Sequence, residues 1–229
     1  MPVLDPSGER LAGARFAIAA PDGLAEAARA LDPGATLAEL RVAASQVAHQ
    51  YVDAVLDGFV LALARAARGA PNAGARTANL VRSFADRFIT PGVRSSKQDQ
   101  LDDFLDFLRH HLIVTPERSP RTAIAFVIDE DFASALAPAL AAAAAGQPAD
   151  RQALHGALHA TVDSCLHHFL DVPLALIHLG FLARAAIAVG RSGVATRAHG
   201  AIDEVLRGTD DAAVTRLAAF VAGAVVPNL

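Results

Sequence analysis

Residues 36–68 read TLAELRVAASQVAHQYVDAVLDGFVLALARAAR, and this stretch decides the fold class. Thr36 can cap a helix that runs to about Arg68. Its first half is amphipathic, because apolar residues recur at helical spacing from Leu40 to Val55. After Gly58 the sequence is apolar on all sides, which indicates a helix that enters a core or a subunit interface.

Similar patterns fill the rest of the chain between short connectors. Further helices are predicted over about residues 22–31, 75–88, 97–112, 131–146, 151–170, 173–189, 194–206 and 209–225. We therefore expect an all-α fold, a compact bundle of roughly eight or nine helices in a single domain spanning residues 1–229. Residues 1–21 are expected to form an irregular N-terminal arm, and the proline-containing connector 114–121 is the best candidate for an internal boundary.

One run has the character of a β-strand. Residues Thr122–Ile128 read TAIAFVI, which is rich in β-branched and aromatic side chains. An isolated strand has no partner, and no second strand is predicted elsewhere in the chain. We therefore interpret this run as helical.

Composition excludes several functions. The 229 residues carry a net charge of −4, so we expect no basic face for nucleic acid. The single cysteine, Cys165, excludes an internal disulfide and any multi-cysteine metal site. A single cysteine is typical of a protein from a reducing compartment, and the N-terminal sequence has no signal-peptide character. Together these features predict a cytoplasmic location. The most apolar segment, Val172–Gly190, contains His178 and Arg184, which argues against a membrane span and favours a buried helix.

The most suggestive pattern is a histidine stripe in the helix predicted over residues 151–170. It consists of His155, His159, Asp163, His167 and Asp171, each four residues after the last, so neighbours lie one helical turn apart. Two histidines at this spacing can chelate zinc or iron, and Asp163 can supply a third ligand to His155 and His159.

The stripe also has a structural interpretation. Each four-residue step turns about 40° around the helix, so at most the first two or three members can meet one ion. The later members then form solvent-facing pairs that contribute a few tenths of a kcal/mol, about 0.2–0.5 each. In this interpretation His155 is a hydrogen-bonded residue at the edge of the core.

A second pattern lies in the acidic sequence Asp102, Asp103 and Asp106. Its letters, D-D-x-x-D, resemble the magnesium-diphosphate motif of the all-helical isoprenoid and terpene synthases. Carboxylates one turn apart can hold Mg²⁺ against a departing diphosphate. The second metal motif of those enzymes does not occur in this sequence, and the acids lie opposite an apolar stripe that begins at Leu101. We therefore interpret them as a solvated acidic face.

Nucleotide-binding and hydrolase motifs do not occur in the sequence, so no catalytic residue is predicted. Three functions stay open. The favoured one is a non-enzymatic binding or interaction protein, a homodimer or other homo-oligomer that buries the regions around Leu61 and Ala142 or lines a pocket for an apolar small molecule. The second is a protein that binds zinc or iron through the histidine stripe. The third is a membrane-associated protein that inserts Phe132–Gly146 or Val172–Gly190 into a bilayer.

Overall fold

The computed structural model describes residues 11–29, 35–67, 71–115, 121–208 and 210–226. The helices are α1 (Asp22–Arg29), α2 (Leu37–Val55), α3 (Ala62–Ala67), α4 (Pro71–Ser95), α5 (Gln98–His111), α6 (Glu130–Ala144), α7 (Arg151–Leu166), α8 (Val172–Leu176), α9 (Phe181–Gly208) and α10 (Asp211–Gly223). Short π-helical segments, Leu56–Leu61 and His167–Asp171, join α2 to α3 and α7 to α8. The described residues therefore form eight continuous helical stretches, which confirms the expected multi-helix bundle.

A small antiparallel sheet accompanies the helices. Its strands are β1 (Arg15–Ala19), β2 (Leu112–Val114), β3 (Thr122–Val127) and β4 (Val225–Val226), in the order β2-β3-β1-β4. The helical interpretation of Thr122–Ile128 is therefore wrong. β3 finds partners in β1, where Phe16 pairs with Phe126, and in β2, where Ile113 pairs with Ala123.

The strand β1 also corrects the expected N-terminal arm, because residues 15–19 all pair with β3, and Arg15 and Phe16 also pair with β4. Residues 1–10 of that arm lie outside the described residues. The connector 114–121 closes the hairpin between β2 and β3, where the Thr115 N–H donates to the Arg121 carbonyl at 3.0 Å. Its residues 116–120 lie outside the described ranges. The single-domain prediction stays a prediction.

The core lies between one face of the sheet and the helices. Phe16 is fully buried on this face and contacts the rings of Phe126 and Phe132, with centroids 5.5 and 5.6 Å away. Burial of these aromatic rings contributes to the stability of the fold at about 25 cal/mol per Å² of apolar surface. The opposite face of the sheet carries small residues, chiefly Ala17, Ala123 and Ala125.

Helix α7 connects this core to the candidate site. Asp150 caps it by accepting a hydrogen bond from the Ala153 N–H at 3.3 Å, as Ser, Thr, Asp and Asn do at helix starts. Its apolar side is buried against the core, and Leu158, Val162 and Cys165 lie on it. Its other side packs against α9, which runs unbroken from Phe181 to Gly208 where two helices were predicted. In the described part of the chain, no helix combines the length and the apolar character that crossing a bilayer requires.

Candidate metal centre

Helices α7 and α9 pack in antiparallel directions, and their contact is polar. The pairs across it are His159–Asp203, Asp163–His199 and, from the π-helical segment that continues α7, Asp171–Arg191. Residue numbers therefore rise along one helix as they fall along the other. We call this contact, from Arg151 and Leu206 at one end to Asp171 and Arg191 at the other, the α7–α9 seam. It brings residues that are distant in sequence into a fixed register.

Three side chains of the seam converge on one point. The Oδ1 of Asp203 accepts hydrogen bonds from the Nε2 of His155 at 2.8 Å and from the Nε2 of His159 at 3.0 Å. Because an ionised carboxylate only accepts, both imidazoles carry a proton on Nε2 in this arrangement. The two rings lie one turn apart on α7, with centroids 4.0 Å apart. The histidine pair singled out by its spacing therefore meets a carboxylate from another helix.

This His155/His159/Asp203 cluster is partly exposed, with 45%, 26% and 41% of the respective side chains accessible. Burial lowers the pKa of His159 below its usual 6.5; the hydrogen bond to Asp203 opposes this, while nearby His199 and His155 reinforce it. The hydrogen bonds from both histidines lower the pKa of Asp203. At neutral pH the cluster therefore presents a neutral His159 and an ionised Asp203, the protonation states that metal ligands require.

The separations within the cluster suit a small metal ion. One ligand atom from each residue lies within 4.8 Å of the other two. With metal–ligand bonds of about 2.0–2.1 Å, ligand atoms around a tetrahedral zinc are separated by about 3.4 Å. In such a site the Asp203 oxygen would lie about half an ångström farther from each imidazole nitrogen than it does now, and the two nitrogens would take the same spacing. Each imidazole would carry its proton on Nδ1 instead. Three protein ligands leave a fourth position for water or another ligand.

The structure places Asp163 next to this cluster and not in it. Its Oδ1 lies 3.2 Å from the Nε2 of His199. These atoms lack the alignment of a hydrogen bond, and that buried Nε2 has no hydrogen-bond partner among the described residues. The carboxylate beside the two α7 histidines is Asp203, which the sequence analysis missed. A signal for it exists, since His199 and Asp203 are themselves four residues apart.

The acidic sequence in α5 is solvated, as interpreted. Asp102, Asp103 and Asp106 are all exposed, whereas Leu101 on the opposite side of α5 is buried. Asp106 accepts a hydrogen bond from Arg109, three residues later, at 2.8 Å. The cluster of potential metal ligands found among the described residues is the one at the seam.

Another histidine, His49, joins α2 to α4. The Nε2 of His49 lies 2.7 Å from the Thr90 hydroxyl, and its Nδ1 lies 3.4 Å from the Asp86 carboxylate. A hydroxyl, an imidazole and a carboxylate in this order resemble a catalytic nucleophile, its general base and the group that orients the base. Thr90 lies inside α4, however, where the neighbouring main-chain N–H groups bond to carbonyls one turn earlier and do not form an oxyanion hole. The contact therefore joins two helices.

Two further histidines pack on aromatic rings beside the sheet. His168 stacks on Phe126, with centroids 4.2 Å apart, and His111 stacks on Phe107, with centroids 4.0 Å apart. Burial lowers the pKa of both histidines. They are neutral residues at the edge of the core under neutral conditions.

Comparisons with protein-family models, with curated proteins and with solved structures find no significant match to this chain. The geometry of the seam therefore carries the functional argument. Two imidazole nitrogens and one carboxylate oxygen, drawn from two helices and partly exposed, are the candidate ligands for a divalent transition metal ion.

Proposed function

We propose that this protein binds a divalent transition metal ion, zinc or iron(II), through His155, His159 and Asp203. The observation that supports this is the convergence of their ligand atoms within 4.8 Å. Two histidines and one carboxylate are the protein ligands of many catalytic zinc and non-haem iron sites. Asp203 takes the role that the sequence pattern assigned to Asp163.

Contacts at both ends of the seam support a site that is formed before metal arrives. Arg151 donates to the Leu206 carbonyl at 2.9 Å and to the Asp211 carboxylate at 3.0 Å. At the other end Arg191 donates to both carboxylate oxygens of Asp171, at 2.8 and 2.7 Å. Ligands on helices in such a register need little reordering, which favours affinity.

A metal titration tests the proposal directly. Protein stripped with a chelator is titrated with Zn²⁺ by calorimetry and with Co²⁺ by visible absorption. We expect one ion per chain and the absorption of four- or five-coordinate cobalt. Zinc at 100 times its dissociation constant should raise the free energy of unfolding by about 2.7 kcal/mol.

Three variants decide which residues bind. His159→Gln and Asp203→Asn each remove one ligand, and we expect both to abolish the cobalt spectrum. His167→Gln is the matched control, because this histidine follows α7 directly and is 60% exposed, with its Nδ1 3.9 Å from Asp171 and its ring against that of His168. A wild-type protein that binds neither ion, or equal affinities in all three variants, would contradict the proposal.

A specific observation supports a second function, the homo-oligomeric interaction protein. Phe181 and Val189, two turns apart on α9, are 84% and 75% exposed, and Ala185 and Ala188 between them are also exposed. An exposed helix face normally carries polar residues. Helices α3, which follows Leu61, and α6, which contains Ala142, both contact α10, and an interface at these regions stays a prediction.

This α9 face suits a second copy of the chain. It is continuous with an apolar groove of about 630 Å³ between α4 and α9, because Val189 belongs to both. A projecting Phe181 and a groove on one surface permit a two-fold dimer in which each copy fills the groove of the other.

Light scattering after size exclusion tests this second function. We expect a dimer that becomes a monomer in Phe181→Glu and Val189→Lys, while Val42→Glu, at a 61% exposed site on α2, leaves it intact. A monomeric wild-type protein at about 100 μM, well above the concentrations at which stable dimers form, would exclude it.

The cytoplasmic location, based on the single cysteine, stays a prediction.

A further inference from the structure

An open groove of about 760 Å³ adjoins the cluster at the start of α7 and the end of α9. Its lining consists of Arg151, Gln152, His155, Asp203, Leu206 and Arg207. Two of the three proposed ligands, His155 and Asp203, line this groove, and His159 does not. An ion bound by these three residues would therefore have its open coordination position on the side of the groove.

Arg207 supplies a positive charge to this groove. Arg207 lies one turn after Asp203, and its Nε donates to the Asp203 main-chain carbonyl at 3.1 Å, which keeps the guanidinium beside the cluster. The Asp203 carboxylate is turned to the two histidines instead. Within the described ranges no acidic side chain forms an ion pair with the exposed Arg207. The carboxylate of Asp211 pairs with Arg151.

From this arrangement we infer that the groove binds a small molecule through an oxyanion, a phosphate or carboxylate group, with one oxygen on the metal and another on Arg207. The inference rests on the proposed metal site. A divalent ion with neutral imidazoles and one carboxylate keeps a positive charge, so an anion is the favoured fourth ligand. The planar guanidinium donates two parallel hydrogen bonds, the geometry that carboxylate and phosphate oxygens accept.

The test uses the cobalt-loaded full chain with inorganic phosphate and acetate as probes. Binding is followed by the shift of the cobalt absorption bands and by calorimetry. We expect at least one anion to bind the loaded protein and to bind the metal-free protein more weakly. Arg207→Gln should lower the anion affinity of the loaded protein by about tenfold or more, because a charge-assisted pair of hydrogen bonds is lost.

The matched control is Arg197→Gln, which removes an exposed arginine of α9 that does not line the groove. We expect it to leave anion affinity unchanged, and both arginine variants to bind cobalt as the wild type does. If cobalt binds but neither anion shifts its spectrum, or if both arginine variants lose equal affinity, the inference is wrong and the metal site stands. If cobalt itself does not bind, the proposed function fails, and the inference fails with it.

Discussion

The imidazole of His199 lies flat against that of His159, with ring centroids 4.2 Å apart and planes within 10° of each other. Two stacked imidazoles at this distance repel each other if both are protonated. The proximity of His199 accordingly contributes to the lowered pKa of His159, after the larger effect of burial. The stack therefore connects the packing of α7 on α9 to the protonation of a proposed metal ligand.

The first prediction concerns the pH dependence of folding in the metal-free protein. The pKa values of His111, His159 and His168 are lowered from 6.5, chiefly by burial. As pH falls below about 6.5, the unfolded chain takes up protons at these positions before the folded chain does. Stability is therefore present above the unfolded value and lost as pH falls through the folded values. We expect the urea midpoint to drop between about pH 7.5 and 5.

A variant separates this effect from general acid sensitivity. His168→Phe keeps a ring on Phe126, where the native centroids are 4.2 Å apart, but it removes one titrating group. The urea midpoint of this variant should fall less steeply with pH than that of the wild type. A midpoint that rises on acidification over this range would contradict the sign of the argument.

The second prediction distinguishes Asp203 from Asp163, two of the aspartates of the seam. Asp203→Asn should lower zinc affinity by at least about 10–100-fold, the range measured for residues that only support a metal ligand. Asp163→Asn should have a smaller effect, because its Oδ1 lies beside His199 and not beside the proposed ligands His155 and His159. Calorimetry on both variants at one pH makes the comparison. A larger loss in Asp163→Asn would restore the ligand set inferred from spacing within one helix.

The helices could be predicted from sequence because each helix buries one side, and the spacing of its apolar residues shows which side that is. The stripe from Leu101 to Leu108 is an example, since its members are buried in α5. The strand β3 shows no such periodic spacing. Its first five residues are all buried, so apolar and polar residues do not alternate along it. Its partner β1 lies about a hundred positions earlier, and only the tertiary fold pairs Phe16 with Phe126.

The candidate site was likewise only partly predictable from the sequence. His155 and His159 are neighbours within one helix, so their spacing alone places them one turn apart. Asp203 comes 44 residues after His159, and its position depends on the register of α9 against α7. That register is determined by side-chain packing and by end contacts such as Arg151 with Leu206, which local sequence patterns do not encode.

The third prediction tests how α4 is joined to the start of α9. Ser96 is completely buried, donates through Oγ to the Gly92 carbonyl at 2.9 Å, and accepts from the His178 N–H at 2.8 Å. Ser96→Ala leaves that N–H without its acceptor, which should lower the free energy of unfolding by about 1–3 kcal/mol. Denaturant unfolding measures the loss.

The control for Ser96 is a serine with a similar bond in an exposed position. Ser134 donates to the Glu130 carbonyl at 2.8 Å on the surface of α6, where water can replace it. Ser134→Ala should change stability by less than about 0.5 kcal/mol. Equal effects at the two serines would show that the buried bond has no special role.

The last prediction compares two helical glycines that differ in what surrounds them. Gly58 lies in the π-helical segment after α2, where a Cβ would come within 2.7 Å of the Ala19 carbonyl oxygen of β1. That contact is with main chain, so helix or strand must shift, and Gly58→Ala should cost about 1–3 kcal/mol. Gly193, in the middle of α9, has no such neighbour within 4 Å. Gly193→Ala should instead stabilise by about 0.4–1 kcal/mol, because alanine loses less backbone entropy in a helix. Opposite shifts of the two melting temperatures would support the close passage of this helix over β1, and a harmless Gly58→Ala would contradict it.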